Sequence, residues 1–138
     1  MRRIFIDTSF YVALLDETDD LHDLAQAALD ELYTEGDVEF VTSDFVLAEV
    51  LTFFSRQGER HRALAVELAQ RVLAERGVTC VRGSRDLWLR TMQHYASRLD
   101  KLYSFTDCSS MVICGELEIR DVLSHDHDFE QEGLTIRL

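Results

Sequence analysis

Short apolar runs alternate with helical repeats from one end of this chain to the other, and that alternation limits its fold more than any other feature. The runs Ile4-Phe5-Ile6, Val38–Ser43 (VEFVTS), 78–82 (VTCVR), 121–124 (DVLS) and 134–138 (LTIRL) each have the length and apolar character of a strand. Between them, apolar residues recur at helical spacing: Leu21, Leu24, Ala25, Ala28, Leu29 and Leu32, with Asp19 and Asp20 placed as caps. Further helices are predicted from about Asp44 to Arg56, around Leu64, Leu68 and Val72, and from about Asp107. A helix between these is expected to bury the face carrying Leu87, Trp88, Met92, Tyr95 and Leu99. Strands without a polar face, separated by helices, imply a mainly parallel central sheet covered by helices, an α/β fold. Residues 1–138 carry no low-complexity stretch, no proline and no visible repeat, and are expected to form a single domain. A chain of this size buries roughly two-thirds of the surface that it exposes when unfolded.

No apolar run approaches the roughly 20 residues that span a bilayer, so no membrane association is expected. The two arginines at the start lead only into a three-residue apolar run, too short for a signal-peptide core. Cys80, Cys108 and Cys114 are odd in number and lack zinc-site spacing, which fits small buried hydrophobes in a reducing compartment. A soluble cytoplasmic protein is the expectation. Fourteen basic against 26 acidic residues give a net charge of −12, which repels nucleic acid at long range. A polyanionic partner would need a local basic patch or bound cations. The densest basic cluster after the N-terminus is Arg56, Arg60 and Arg62, a candidate for RNA or partner contact beside the apolar Phe53 and Phe54.

Four acids stand where apolar residues or simple caps are expected. Asp7 ends the first strand, followed by Thr8 and Ser9, and carboxyl ends of strands are where open α/β sheets bind ligands. Glu49 has Phe45 and Phe53 as its i−4 and i+4 neighbours, so it sits within an apolar helix face and needs an arginine, a proton or a metal. Asp107 follows Thr106 at a helix start, where the helix dipole alone would favour it. Ser124-His125-Asp126-His127-Asp128 closes the fourth strand; its histidines lack zinc spacing and read as loop residues. Two carboxylates about 4 Å apart repel by roughly 4 kcal/mol at an effective dielectric of 20, so a cluster of them implies cations. Mg²⁺ or Mn²⁺ fits, because hard divalent ions take oxygen ligands.

In order and spacing, FIDTSF with Asp7, FVLAEVL with Glu49, SFTDCSSM with Asp107 and SHDHDF with Asp126 resemble the acidic motifs of PIN-domain ribonucleases. The resemblance runs over essentially the whole chain and is greatest to the small VapC-type toxins of toxin–antitoxin pairs, whose segment after the first motif is similar to DDLHDLAQAAL. It implies a three-layer α/β/α sandwich and an endoribonuclease with one or two Mg²⁺ ions, Mn²⁺ able to substitute. Asp7, Glu49 and Asp107 would be the principal catalytic metal ligands, with Asp126 completing the site or orienting the attacking water. The fourth position offers both Asp126 and Asp128; the family pattern points to Asp126, three residues before Phe129. Thr8 and Thr106 are candidates for contact with a phosphate oxygen or a ligand carboxylate, or plain caps. The resemblance further implies an RNA substrate, a small antitoxin partner and a homodimer.

Three rivals are weighed against this. A haloacid-dehalogenase-type phosphohydrolase needs a second acid two residues after the first, where this chain has Ser9, and a late basic residue near the nucleophile. A response-regulator receiver needs a lysine at a late strand end, but the only lysine is Lys101. A non-catalytic PIN-like scaffold is the alternative of a different class, and retention of all four acids argues against it.

Overall fold

A computed structural model of the chain describes residues 1–74 and 77–138. Five parallel strands form one sheet: β1 (Arg2–Ile6), β2 (Val38–Ser43), β3 (Val78–Val81), β4 (Asp121–Leu123) and β5 (Thr135–Ile136), in the spatial order β3-β2-β1-β4-β5. Helices α1 (Thr8–Leu15), α2 (His22–Glu35), α3 (Asp44–Phe54), α4 (Glu59–Leu73), α5 (Arg85–Ala96) and α6 (Phe105–Glu116) cover the sheet as the outer layers of a three-layer sandwich. A 3₁₀ helix, His127–Glu132, leads from β4 to β5.

The apolar end of the central strand is buried for a physical reason. Ile4, Phe5 and Ile6 are almost wholly buried because β1 has neighbours on both edges and helices on both faces. From β1 the chain steps outward through β2 to β3, then returns to the other side of β1 for β4 and β5. The direction of winding therefore reverses between β1 and β4. Such a switch point leaves a crevice at the carboxyl ends of the strands, the place where open α/β sheets bind ligands. Asp7 follows β1 and Ser124 follows β4, and the Asp7 amide donates to the Leu123 carbonyl across the gap (3.2 Å).

Several elements differ from the sequence expectation. Asp19 and Asp20 do not cap α2; Asp19 instead accepts the Leu21 amide (2.8 Å), forming a turn ahead of the helix. Helix α3 stops at Phe54, two residues early, and α6 starts at Phe105 rather than Asp107. The end of the fourth helix near Gly77 falls partly on residues 75–76, outside the described residues. The largest correction concerns α5. It buries Leu87 and Thr91, whereas Trp88, Met92, Tyr95 and the following Leu99 are all at least 40% exposed. Its main packing partner is α6, so only a narrow stripe of α5 is covered. Trp88 rests instead on Phe105, with ring centroids 4.3 Å apart, and edge-on to Phe45. Cys108 and Cys114 are buried, as expected of small hydrophobes, whereas Cys80 is only partly buried, with its Sγ 3.6 Å from Asp44 Oδ1. Among the described residues no helix is long and apolar enough to cross a membrane.

Candidate active site

A cleft of about 640 Å³ opens at the carboxyl edge of the sheet, lined by Asp7, Glu49, Asp107 and Asp126 together. The fold brings them there from four separate elements. Asp7 is carried by the end of β1, Glu49 by the middle of α3, Asp107 by the first turn of α6 and Asp126 by the turn after β4. Among the described residues, no arginine, lysine or histidine pairs with any of the four. Several of the arginines pair elsewhere: Arg2 with Glu35 and Asp121, Arg98 with Glu132, Arg90 with Glu116. A structural ion-pair network therefore does not account for these acids.

Asp7 is the most buried of them, with 4% of its surface exposed. It precedes α1 but makes no capping hydrogen bond with its side chain, which removes the simplest explanation for its presence. Its Oδ2 accepts from the Ser124 hydroxyl (2.9 Å) and the Ser9 hydroxyl (3.2 Å). Its Oδ1 is buried with no hydrogen-bond partner. Burial raises the pKa of this carboxyl and the charge of Glu49 adds to the rise, while the Ser124 hydroxyl opposes both. An orphaned buried carboxylate oxygen is costly and, in a native protein, calls for an explanation.

Asp107 serves two ends. Its Oδ2 accepts the Ser104 amide while Ser104 accepts the Asp107 amide (both 3.0 Å), a reciprocal capping box. The capping role that the sequence allowed is thus real. Burial nevertheless pushes its pKa to about 6, with the charges of Asp7 and Asp126 contributing, so Asp107 also feels the cluster. Glu49 is half-buried, and its helix neighbour Phe53 lines the same cleft at 46% exposed. Of the two aromatic neighbours of Glu49, Phe53 faces the cleft while Phe45 packs against Trp88 and Phe105.

At the fourth position, Asp126 lines the cleft, and its Oδ1 accepts the Asp128 amide (2.9 Å) at the start of the 3₁₀ helix. Asp128 is not part of the lining and accepts from Gln131 (3.3 Å). Carboxylate oxygens of Asp107, Asp126 and Asp128 still lie within 4.8 Å of one another. Thr8 lines the cleft with its hydroxyl buried and unpartnered, whereas Thr106 does not, its carbonyl accepting from Ser109 (2.6 Å).

The basic cluster stands apart from the cleft lining. Arg60 pairs with Glu17 (3.4 Å), Arg62 donates to the Ser55 carbonyl (2.9 Å), and among the described residues Arg56 makes no ion pair. None of the three lines the cleft, and two of them are held by contacts within the fold. Sequence reasoning also left out Asp19, His125 and His127, all of which line the cleft. Asp19 looked like a cap and the histidines like loop residues. Only the position of the histidines after a switch-point strand, a property of topology, points to the cleft; nothing local marks Asp19, which follows α1.

The geometry is that of a small α/β fold with a carboxylate cleft at its switch point, and the wider comparisons agree. The PIN domain family model matches residues 4–132, so the chain belongs to the PIN-domain family. It is similar to the 23S rRNA-specific endonuclease VapC20 of Mycobacterium tuberculosis, at 29% identity over 132 residues, covering 96% of this chain and 95% of that protein. The crystal structure of that VapC20, a sarcin-ricin loop cleaving toxin, superposes with a TM-score of 0.81 at 26% identity, covering 96% of each chain. VapBC2 from Rickettsia felis, solved bound to a promoter DNA fragment, shares the fold at a TM-score of 0.69, with 11% identity over 98% of this chain and 97% of that one.

Proposed function

We propose that this chain is a metal-dependent endoribonuclease and the toxin of a type II toxin–antitoxin pair. The observation that carries the reading is the convergence of four unpaired carboxylates, one of them with a buried, partnerless oxygen. The donor set consists of hard oxygen atoms, which suits Mg²⁺, with Mn²⁺ able to substitute, and there is room for one or two ions. What such an ion supplies is a lowered pKa for water and neutralisation of charge at the scissile phosphate.

The chain's own residues divide the remaining work. Asp7 and Glu49 hold the cation from β1 and α3, Asp107 from α6. Asp126 completes the set or orients the attacking water from the β4 side, with Asp128 as its reserve. Thr8 offers its free hydroxyl to a phosphate oxygen. Metal also answers the charge problem, because it brings a positive field into a protein of net charge −12. A pure scaffold has no use for a buried carboxylate without a partner, and the only lysine, Lys101, lies outside the cleft lining, which weakens a dehalogenase-type reading.

Similarity to VapC20 makes structured ribosomal RNA the first substrate to try, and cytoplasm the compartment in which it would meet it. A small antitoxin is the expected protein partner. Self-association through the exposed apolar face of α5, carrying Trp88, Leu89, Met92 and Tyr95, is the expected homodimer contact. The test is cleavage of a panel of ribosomal RNA fragments by pure protein, with and without chelator. Cleavage that stops with chelator and returns with Mn²⁺ is expected; cleavage indifferent to chelator would refute the metal mechanism.

A further inference from the structure

Ser124 is fully buried, stands immediately after β4, and touches both halves of the acidic cleft. Its Oγ lies 2.9 Å from Asp7 Oδ2, 3.0 Å from the Asp126 amide nitrogen and 3.2 Å from Ser9 Oγ. A hydroxyl has one hydrogen to give and two lone pairs to receive with. The Asp126 amide can only donate, so Ser124 must accept there. Its single hydrogen is then free for the carboxylate of Asp7, which can only accept when ionised. Ser9 reaches the same Oδ2 at 3.2 Å and reinforces the asymmetry. All side-chain hydrogen bonding to Asp7 therefore falls on Oδ2 and none on Oδ1, which fixes the rotation of the carboxylate. On the other side, the amide held by Ser124 begins the turn in which Asp126 Oδ1 in turn accepts the Asp128 amide at 2.9 Å.

We propose that Ser124 is a positioning residue of the metal site: its one hydroxyl locks Asp7 and Asp126 in register and leaves Asp7 Oδ1 free for the cation. The inference rests on the metal reading given above and goes beyond it by assigning a role to a residue that is not itself a ligand. Groups that orient metal ligands typically matter by 10–100-fold in metal affinity when removed. Ser124 does this for two ligands from segments far apart in sequence, adding a side-chain link at the switch point to the backbone bonds that β1 and β4 share there.

The experiment measures Mn²⁺ affinity by calorimetry on the intact protein, without RNA, for wild type, Ser124→Ala, Ser124→Thr and Thr42→Val. Thr42 is the comparison because its buried hydroxyl donates to the Ile6 carbonyl (2.9 Å), beside the site, and not to a carboxylate. Ser124→Ala is expected to bind Mn²⁺ about tenfold more weakly or worse. Ser124→Thr, which restores a hydroxyl, should recover at least half of that loss on a logarithmic scale. Thr42→Val should stay within about threefold of wild type even if it melts earlier. Should Ser124→Ala fail to fold, Ser124→Cys takes its place, since it keeps the volume with a much weaker donor. Affinity of the alanine variant within twofold of wild type would overturn the proposal. So would no recovery in Ser124→Thr, or an equal loss in Thr42→Val, which would mark general loosening. Wild type that binds no Mn²⁺ would overturn the metal reading itself, a result distinguishable from failure of Ser124 alone.

Discussion

Replacing Asp107 with Asn separates the proposed metal ligand from the observed helix cap, two roles that would fall on one side chain. Asn keeps a carbonyl oxygen where the Ser104 amide needs an acceptor, so most of the capping box survives. What it removes is the negative charge. Asp107 has its pKa raised in the folded protein to about 6, first by burial and then by Asp7 and Asp126, against 3.8 ordinarily. A carboxyl raised on folding binds its proton more tightly in the native state, so stability falls as pH rises from about 4 through 6. Above pH 6 the whole penalty is present; below about 4 none of it is. Full burial would put the penalty at about 3 kcal/mol; for this half-buried group, allowing for solvent screening, about 1–2 kcal/mol is the working value. Metal-free Asp107→Asn should thus be more stable than wild type at pH 7 by about 1–2 kcal/mol, or about 4–8 °C in melting temperature. At pH 4 the two should melt together. Excess Mn²⁺ should shrink that gap, since at ten times the dissociation constant wild type gains roughly 1.4 kcal/mol by mass action and the mutant less. Thermal melts in chelator and in Mn²⁺, at both pH values, measure all of this. A mutant less stable than wild type at pH 7 in chelator would refute the reasoning, and would make Asp107 a structural cap.

Glu49→Gln should abolish at least 99% of RNA cleavage while changing metal-free stability by less than about 1 kcal/mol, because Glu49 is half-buried and has no partner to lose. Cleavage rate and a denaturant melt test the pair of statements. Glu132→Ala should cost about 2–3 kcal/mol, since Glu132 accepts from Arg98 (2.9 Å) and from the Tyr103 hydroxyl (3.1 Å) and ties the 3₁₀ helix to the segment after α5. Urea denaturation reads that loss, and an unchanged midpoint would show the clasp to be idle. Trp88→Glu should convert a dimer to a monomer in light scattering without unfolding it, as the ring is 40% exposed at the rim of the α5 face. Cleavage should also fall as pH drops below about 6, because protons compete with metal for Asp107.

Much of this protein was legible in its sequence because the signals are local. Ile4-Phe5-Ile6 could only be a strand covered on both faces, and the same reasoning gave the parallel sheet and its helices. The four acids stood out because each broke a local pattern: Asp7 ended an apolar strand, and Glu49 interrupted an apolar face. What the sequence could not tell was which exceptions belong together. Asp107 satisfies a capping box and feels the acidic cleft at once, and no local pattern distinguishes one role from both. The α5 face looked like core because its spacing is that of a buried helix. Only packing against α6 rather than the sheet leaves Trp88, Met92 and Tyr95 in the open. The arginine cluster reads as a basic patch in the sequence, and only the fold shows that Arg60 pairs with Glu17, that Arg62 donates to the Ser55 carbonyl and that neither lines the cleft. Periodicity and capping depend on residues three or four apart and can be read from the chain. Charge pairing, and the link through Ser124 between residues on β1 and β4, depend on distances that exist only once the strands have chosen their order.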